Sequence, residues 1–195
     1  MKKIPSIYLR DFKGNPSRVT RERNPECAWV FAGEGVATIK RDGTACMIRN
    51  AQLFKRYDAK KGKTPPAGFE ACGEPDPITG HNPGWLPVGD GPEDKWLREA
   101  FNTEPSLIYA SGTWECCGPK IQGNPEGYDK HWLIKHGVET IPKVPTEYDE
   151  LAAWFASPFV GPLEGIVWHH PDGRMAKIRA TDFGVAWKGN AKVRT

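Results

Sequence analysis

Eight short runs in this chain follow a strand-like pattern, and they commit it to a fold built largely on β-sheet. They are CAWVFA (27–32), GVATIK (35–40), TACMIR (44–49), QLFKRYD (52–58), SLIYASGTWECC (106–117), HWLIKHG (131–137), EGIVWHH (164–170) and MAKIRATDFGVAW (175–187). Successive side chains of a strand point to opposite faces, so such runs suit sheets with one buried face. Asn50-Ala51 and Pro171-Asp172-Gly173 stand between neighbouring runs and read as hairpin turns, which makes the pairing antiparallel. PTEYDELAAWFASP (145–158) predicts a helix. Thr146 would cap it, Glu147, Asp149 and Glu150 suit its positive end, Leu151, Trp154 and Phe155 share a face, and Pro158 follows. PEDKWLREAF (92–101) predicts a second helix.

Residues 64–92 hold seven prolines and six glycines, a density that predicts a long excursion rather than a strand or helix. Its Phe69, Ile78, Trp85, Leu86 and Val88 argue that it packs down. With 195 residues and no internal repeat, the expectation is one antiparallel-rich α+β domain, residues 1–195, with helices set against the sheets.

A charged fraction of 26% beside 38% hydrophobic residues describes a globular chain. No run approaches the roughly 18 apolar residues of a membrane helix, and MKKIPSIYLRDF lacks the apolar centre of a secretory signal. The expected location is the cytoplasm, with no membrane partner. Cys27, Cys46, Cys72, Cys116 and Cys117 form no C-x-x-C pair and read as free thiols. The sequential pair His169-His170 looks like a metal pair, but neighbouring strand residues point to opposite faces, so both read as surface residues.

The net charge of +3 is mild, but its distribution is uneven. Residues 40–63 carry eight basic and two acidic side chains, residues 174–195 six and one, and residues 64–104 two and eight. Two basic stretches suit either a solvated face or a polyanionic partner, a nucleotide or a nucleic acid.

Four short segments carry chemistry. Lys40-Arg41-Asp42-Gly43 ends one strand, Glu115 lies inside another, Glu164-Gly165 opens a third, and Lys177 and Arg179 stand at i and i+2 on a fourth and so share a face. Buried charges need partners, and a polyphosphate with a metal ion would satisfy this set together.

In kind and order these segments resemble the covalent nucleotidyltransferases, the polynucleotide ligases and mRNA-capping guanylyltransferases. Lys40-x-Asp42-Gly43 is similar to their motif I, Glu115 to motif III, Glu164-Gly165 to motif IV and Lys177-x-Arg179 to motif V. CGPKIQGNPEG (117–127), KRYDAKKGKTPP and EPDPITGHNPGW look like a small single-polypeptide RNA ligase family, a likeness that runs over roughly residues 1–188. The motif V position of Arg179 is more often lysine; arginine keeps the charge but is bulkier and stays protonated.

The resemblance implies a two-sheet nucleotidyltransferase (adenylyltransferase) domain with flanking helices. Many relatives append an OB-fold after motif V, whereas eight residues follow Trp187 here, so no C-terminal OB-fold is expected. It implies an ATP-dependent RNA ligase. Lys40 would attack the α-phosphate of ATP to give lysyl-AMP, AMP would pass to an RNA 5′-phosphate, and a 3′-hydroxyl would complete the join. A free lysine, with a pKa of about 10.4, is a poor nucleophile at neutral pH, and the cations Lys177 and Arg179 with Mg²⁺ (or Mn²⁺) would favour its neutral form. Lys177 and Arg179 would also hold phosphoryl oxygens. Asp42 and Glu164 would serve the metal directly or through water. Glu115 would take the ribose hydroxyls, Arg56 sugar or phosphate, and Trp132 the adenine, with main chain at Thr38 and Ile39 near the base and Gly43 closing the turn. The expected partner is RNA with 5′-phosphate and 3′-hydroxyl ends, bound by a monomer, with an end-healing enzyme as a candidate associate. The alternatives are a DNA ligase, a capping enzyme, or a non-catalytic nucleotide- or RNA-binding relative.

Overall fold

The computed structural model describes residues 3–14, 17–77 and 79–187. Its strands are β1 (Tyr8–Asp11), β2 (Arg18–Arg23), β3 (Val36–Lys40), β4 (Thr44–Arg49), β5 (Gln52–Ala59), β6 (Glu70–Ala71), β7 (Asn82–Pro87), β8 (Gly112–Cys117), β9 (Trp132–Lys135), β10 (Gly165–His169) and β11 (Met175–Arg179). Its helices are α1 (Ala28–Phe31), α2 (Lys95–Thr103) and α3 (Tyr148–Ala156). All pairing between these strands is antiparallel, and the architecture is α+β. Alongside the six-stranded and three-stranded sheets stands a two-stranded one, β1–β2, so the expectation of two sheets is corrected to three.

The chain divides into two compact units. One runs from Asp42 to His136 and includes Lys3. The other is assembled from two stretches, Ile4–Arg41 and Gly137 onward, and is called the split unit below.

In the split unit the three-stranded order is β11-β10-β3. Ala37, Ile166, Trp168, Ala176 and Ile178 share one face and join Ile7, Tyr8, Val30, Leu151 and Phe155 in a single core. Ile166 and Ile178 are fully buried, each worth roughly 1.5–3 kcal/mol relative to exposure. The run CAWVFA is helical, not a strand: Asn24 accepts a hydrogen bond from the Glu26 N–H, Pro25 opens a 3-10 turn, and α1 follows. Pro at a first helical position is pre-set for helix entry, and that overrides the apolar run. The β1–β2 hairpin was not expected, because RVTRER buries Val19 alone. Arg21 pairs with Asp149 at 2.6 Å and Arg23 with Glu147, tying β2 to the start of α3. That start is capped at Glu147 without a side-chain bond. Thr146 is not the cap; its carbonyl accepts the Tyr8 hydroxyl at 2.7 Å. After Arg179 the chain turns into a 3-10 segment, Ala180–Phe183, rather than continuing as a strand.

In the 42–136 unit the six-stranded order is β6-β7-β5-β4-β8-β9. Cys46, Ile48, Leu53, Cys116 and Leu133 pack with Leu97 and Ala100 of α2. Lys55 of β5 pairs with the buried Asp94 just before α2, and Asp94 also accepts the Gly89 N–H at 2.8 Å. The expected hairpin at Asn50-Ala51 is present, with φ of 52° and 60°, the conformation that continues the twist of paired strands. Residues 105–109 form a 3-10 turn, so β8 begins only at Gly112.

The proline-rich excursion contains a strand after all. β7 pairs along β5 from Phe54↔Pro87 to Ala59↔Asn82. Pro83 and Pro87 stand near its ends, leaving Gly84, Trp85 and Leu86 to donate. Trp85 is buried and Phe69 meets Tyr57 edge to face, so the excursion does pack down; Ile78 lies outside the described residues.

Candidate active site

The face of the three-stranded sheet turned away from its core carries the charged set. Lys40 of β3 and Arg179 of β11 both stand opposite Gly165 of β10, and Thr38 and Lys177 both stand opposite Val167. Directly opposed residues share a face, so Lys40, Lys177 and Arg179 lie together. Gly165 allows this closeness: a Cβ there would strike the Ile178 carbonyl and lie 2.9 Å from the Arg179 Cα. Glu164, one residue earlier, accepts a hydrogen bond from the Lys40 amine at 2.5 Å.

Lys177 is held between these groups. Burial first, then the neighbouring charges of Lys40 and Arg179, pull its pKa down to about 8. Arg179 is fixed by Asp182, which accepts from its main-chain N–H and its guanidinium, both at 3.0 Å, and from Arg10 at 2.6 Å. Arg41 makes a two-pronged bond to Glu139, at 2.6 and 2.9 Å. The Ile39 N–H donates to the Glu139 carbonyl and the Thr38 hydroxyl to the Val167 carbonyl. The side chain of Ile39 shares the core-facing side with Ile166.

Asp42, Gly43, Arg56, Glu115 and Trp132 belong to the 42–136 unit. Glu115 is largely buried, and both of its oxygens are engaged: Oε1 accepts the Gly43 N–H at 3.1 Å, and Oε2 lies 2.8 Å from His136 Nε2. The Asp42 N–H reaches Glu126 Oε1 at 3.4 Å. Gly43 adopts no positive φ; what requires glycine is that a Cβ would strike the Cys116 carbonyl. Trp132 stands opposite Cys117, and Ile134 opposite Glu115, so Trp132 shares the Glu115 face and is 36% exposed.

Arg56 stands opposite Trp85, its guanidinium 5.7 Å from that ring. Burial lowers its pKa, though an arginine stays charged at any physiological pH. It lines a groove of about 710 Å³ with Cys72, Asp76 and the His81–Asp58 pair. His169 and His170 are half-buried rather than surface residues; His170 pairs with Glu34 at 2.9 Å and Asp172 at 2.7 Å.

Among the described residues no three His, Cys, Asp or Glu side chains gather as a metal-binding group. Glu164 of the split unit and Asp42 of the 42–136 unit are each a hard carboxylate, the donor type suited to Mg²⁺, which takes one or two carboxylates and fills its remaining positions with water and substrate phosphates.

His136, Asp182 and Glu139 were not singled out from sequence. His136 directly follows β9, and its partners Thr113 and Glu115 stand at i and i+2 on β8.

Comparison with known proteins bears on this arrangement. Residues 102–194 match the family described as RNA ligase 1. RNA ligase 1 of Mus musculus is 27% identical over 95% of this chain and 81% of its own length. That of Rattus norvegicus is 26% identical over 95% and 82%. Over most of its length the chain is therefore similar to these RNA ligase 1 proteins. RNA ligase 1 of Danio rerio is 32% identical over a shorter stretch, 55% of this chain and 42% of its own length. The stretch matching the RNA ligase family contains Glu115, Trp132, His136, Glu164, Lys177 and Arg179. Among the described residues no helix is long and apolar enough to cross a membrane.

Proposed function

We propose that this RNA ligase relative works through ATP and a covalent lysyl-AMP on Lys40, with the whole chain acting as one adenylation domain of the nucleotidyltransferase fold. The observation that carries the reading is the single-faced set of Lys40, Lys177 and Arg179, with Glu164 on the Lys40 amine. A strand-end lysine with a merely structural role has no need of two further cations on the same face.

In the first step the Lys40 amine attacks the α-phosphorus of ATP. An N–P bond forms, the bond to the bridging oxygen breaks, and pyrophosphate leaves. The amine must first give up its proton, and the carboxylate of Glu164, at 2.5 Å, is placed to receive it. Lys177 and Arg179 stabilise charge on the phosphoryl oxygens, with Arg179 held by Asp182 for that task. A Mg²⁺ (or Mn²⁺) ion, held by Glu164 and Asp42 directly or through water, would offset triphosphate charge when bound. Glu115 takes the ribose hydroxyls, Trp132 the adenine, and Arg56 sugar or phosphate. A 5′-phosphate oxygen of RNA then attacks the adenylate, breaking the N–P bond and freeing Lys40. A 3′-hydroxyl attacks the activated 5′-phosphorus, a phosphodiester forms, and AMP leaves. The chain acts as a monomer in the cytoplasm on ends supplied by an end-healing enzyme.

The test is ligation of 5′-phosphorylated RNA, as single strands, nicked duplexes and broken hairpins, with ATP and Mg²⁺. Sealed RNA is expected. Sealing of nicked DNA alone would make the protein a DNA ligase, and covalent labelling from GTP alone would move it to the capping class. Nucleotide binding with neither labelling nor sealing would leave a non-catalytic relative.

A further inference from the structure

We propose that His136 is a positioning residue for ribose recognition, aiming the carboxylate of Glu115. The proposal rests on the reading above that Glu115 takes the ribose hydroxyls.

The geometry is that of a relay. His136 Nε2 lies 2.8 Å from Glu115 Oε2, and His136 Nδ1 lies 3.0 Å from the Thr113 hydroxyl. An ionised carboxylate only accepts, so Nε2 carries the proton and donates. In the neutral ring Nδ1 then accepts from the Thr113 hydroxyl, which fixes the tautomer. The ring is held at its base as well, since the His136 N–H donates to the Thr113 carbonyl at 3.1 Å. On the other side, Oε1 of Glu115 takes the Gly43 N–H at 3.1 Å. The carboxylate is therefore gripped at both oxygens, one by main chain and one by His136, and its plane is set.

Each carboxylate oxygen has a second lone pair, so fixing the plane leaves one acceptor direction per oxygen. Two acceptors side by side in a fixed plane match two neighbouring hydroxyls, the 2′ and 3′ groups of a ribose. Without His136, Oε2 loses its orienting donor and the carboxylate keeps only the Gly43 N–H at Oε1, a single bond that does not fix its plane. A second-layer partner that orients an acceptor in this way commonly governs affinity and selectivity without touching the ligand.

The experiment measures binding of ATP, 2′-deoxy-ATP and 3′-deoxy-ATP by calorimetry. The host is Lys40→Ala protein, which cannot react, carrying in turn His136, His136→Ala and His136→Gln. The quantity read is the ratio of affinities for ATP and each deoxy analogue, which does not depend on how much of a variant is folded. His136 is expected to give a clear preference for ATP, His136→Ala to lose about tenfold of it, and His136→Gln, whose amide N–H reaches towards Oε2, to recover part. A ratio unchanged in His136→Ala overturns the proposal. No preference with His136 in place overturns it together with the ribose role of Glu115. Labelling of unsubstituted protein by ATP in parallel reports on Lys40 alone, so the two readings fail separately.

Discussion

The amine of Lys40, at the end of β3, is paired with the carboxylate of Glu164, just before β10, at 2.5 Å, and the two lie 124 residues apart in the chain. The pair holds the amine in one place, and attack on phosphorus depends on placement: a shift of about 1 Å in a reacting group can cost around 100-fold in rate. Glu164→Ala is therefore expected to slow self-adenylation by roughly 100-fold, measured as the rate at which label from ATP enters the protein under saturating nucleotide. An unchanged rate would remove Glu164 from the chemistry.

Lys177 makes a pH prediction. Its pKa of about 8 means that it is charged below that pH and neutral above it. If its charge is used on phosphate, kcat/KM for self-adenylation falls as pH rises past about 8. Lys177→Arg, whose side chain does not titrate there, should lose that alkaline fall while keeping activity at neutral pH.

The same shift has a consequence for stability. An unfolded lysine keeps its proton to about pH 10.4, so between about 8 and that value the unfolded chain binds more protons and stability rises with pH. The burden of the buried charge is present in full below about pH 8. Lys177→Met should thus unfold at a higher denaturant concentration than wild type at pH 7, with the gap closing towards pH 10.

Gly165→Ala would push a methyl group into the backbone of β11 at the point where Lys40 and Arg179 face each other across β10. Overpacking of this kind costs roughly 1–3 kcal/mol. The variant should unfold earlier in urea and label poorly even at temperatures where it is folded. Ala51→Gly works in the opposite direction. Ala51 holds a φ of 60° in the β4–β5 turn, a conformation that costs a residue with a Cβ roughly 1–2 kcal/mol. Part of that should return as a higher midpoint of thermal unfolding.

What could be read in advance was local. TACMIR is β4 residue for residue, because a short apolar run is bounded by turn residues on both sides, Asp42-Gly43 before it and Asn50-Ala51 after it. Lys40-x-Asp42-Gly43, Glu164-Gly165 and Lys177-x-Arg179 were legible because each spacing is short and each sits on such a run. CAWVFA misled because a short apolar run fits a buried helix as well as a strand, and the Asn24-Pro25 entry decided between them. β1 and β2 were invisible because charged side chains dominate them, and β7 because prolines near its ends masked the donors between. The grip on Lys40 and on Glu115 was out of reach for another reason. Glu164 on Lys40 and His136 on Glu115 are non-local pairings fixed by sheet register and chain reversal. No spacing in the sequence announces them.

The proposed mechanism requires a covalent bond between Lys40 and AMP. The protein should be incubated with ATP labelled at the α-phosphate and Mg²⁺, denatured and digested, and the labelled peptide sequenced by mass spectrometry. One adenylated residue, Lys40, is expected, with no label in Lys40→Ala. Absence of covalent label, or label placed on another residue such as Lys177 and retained in Lys40→Ala, would contradict it.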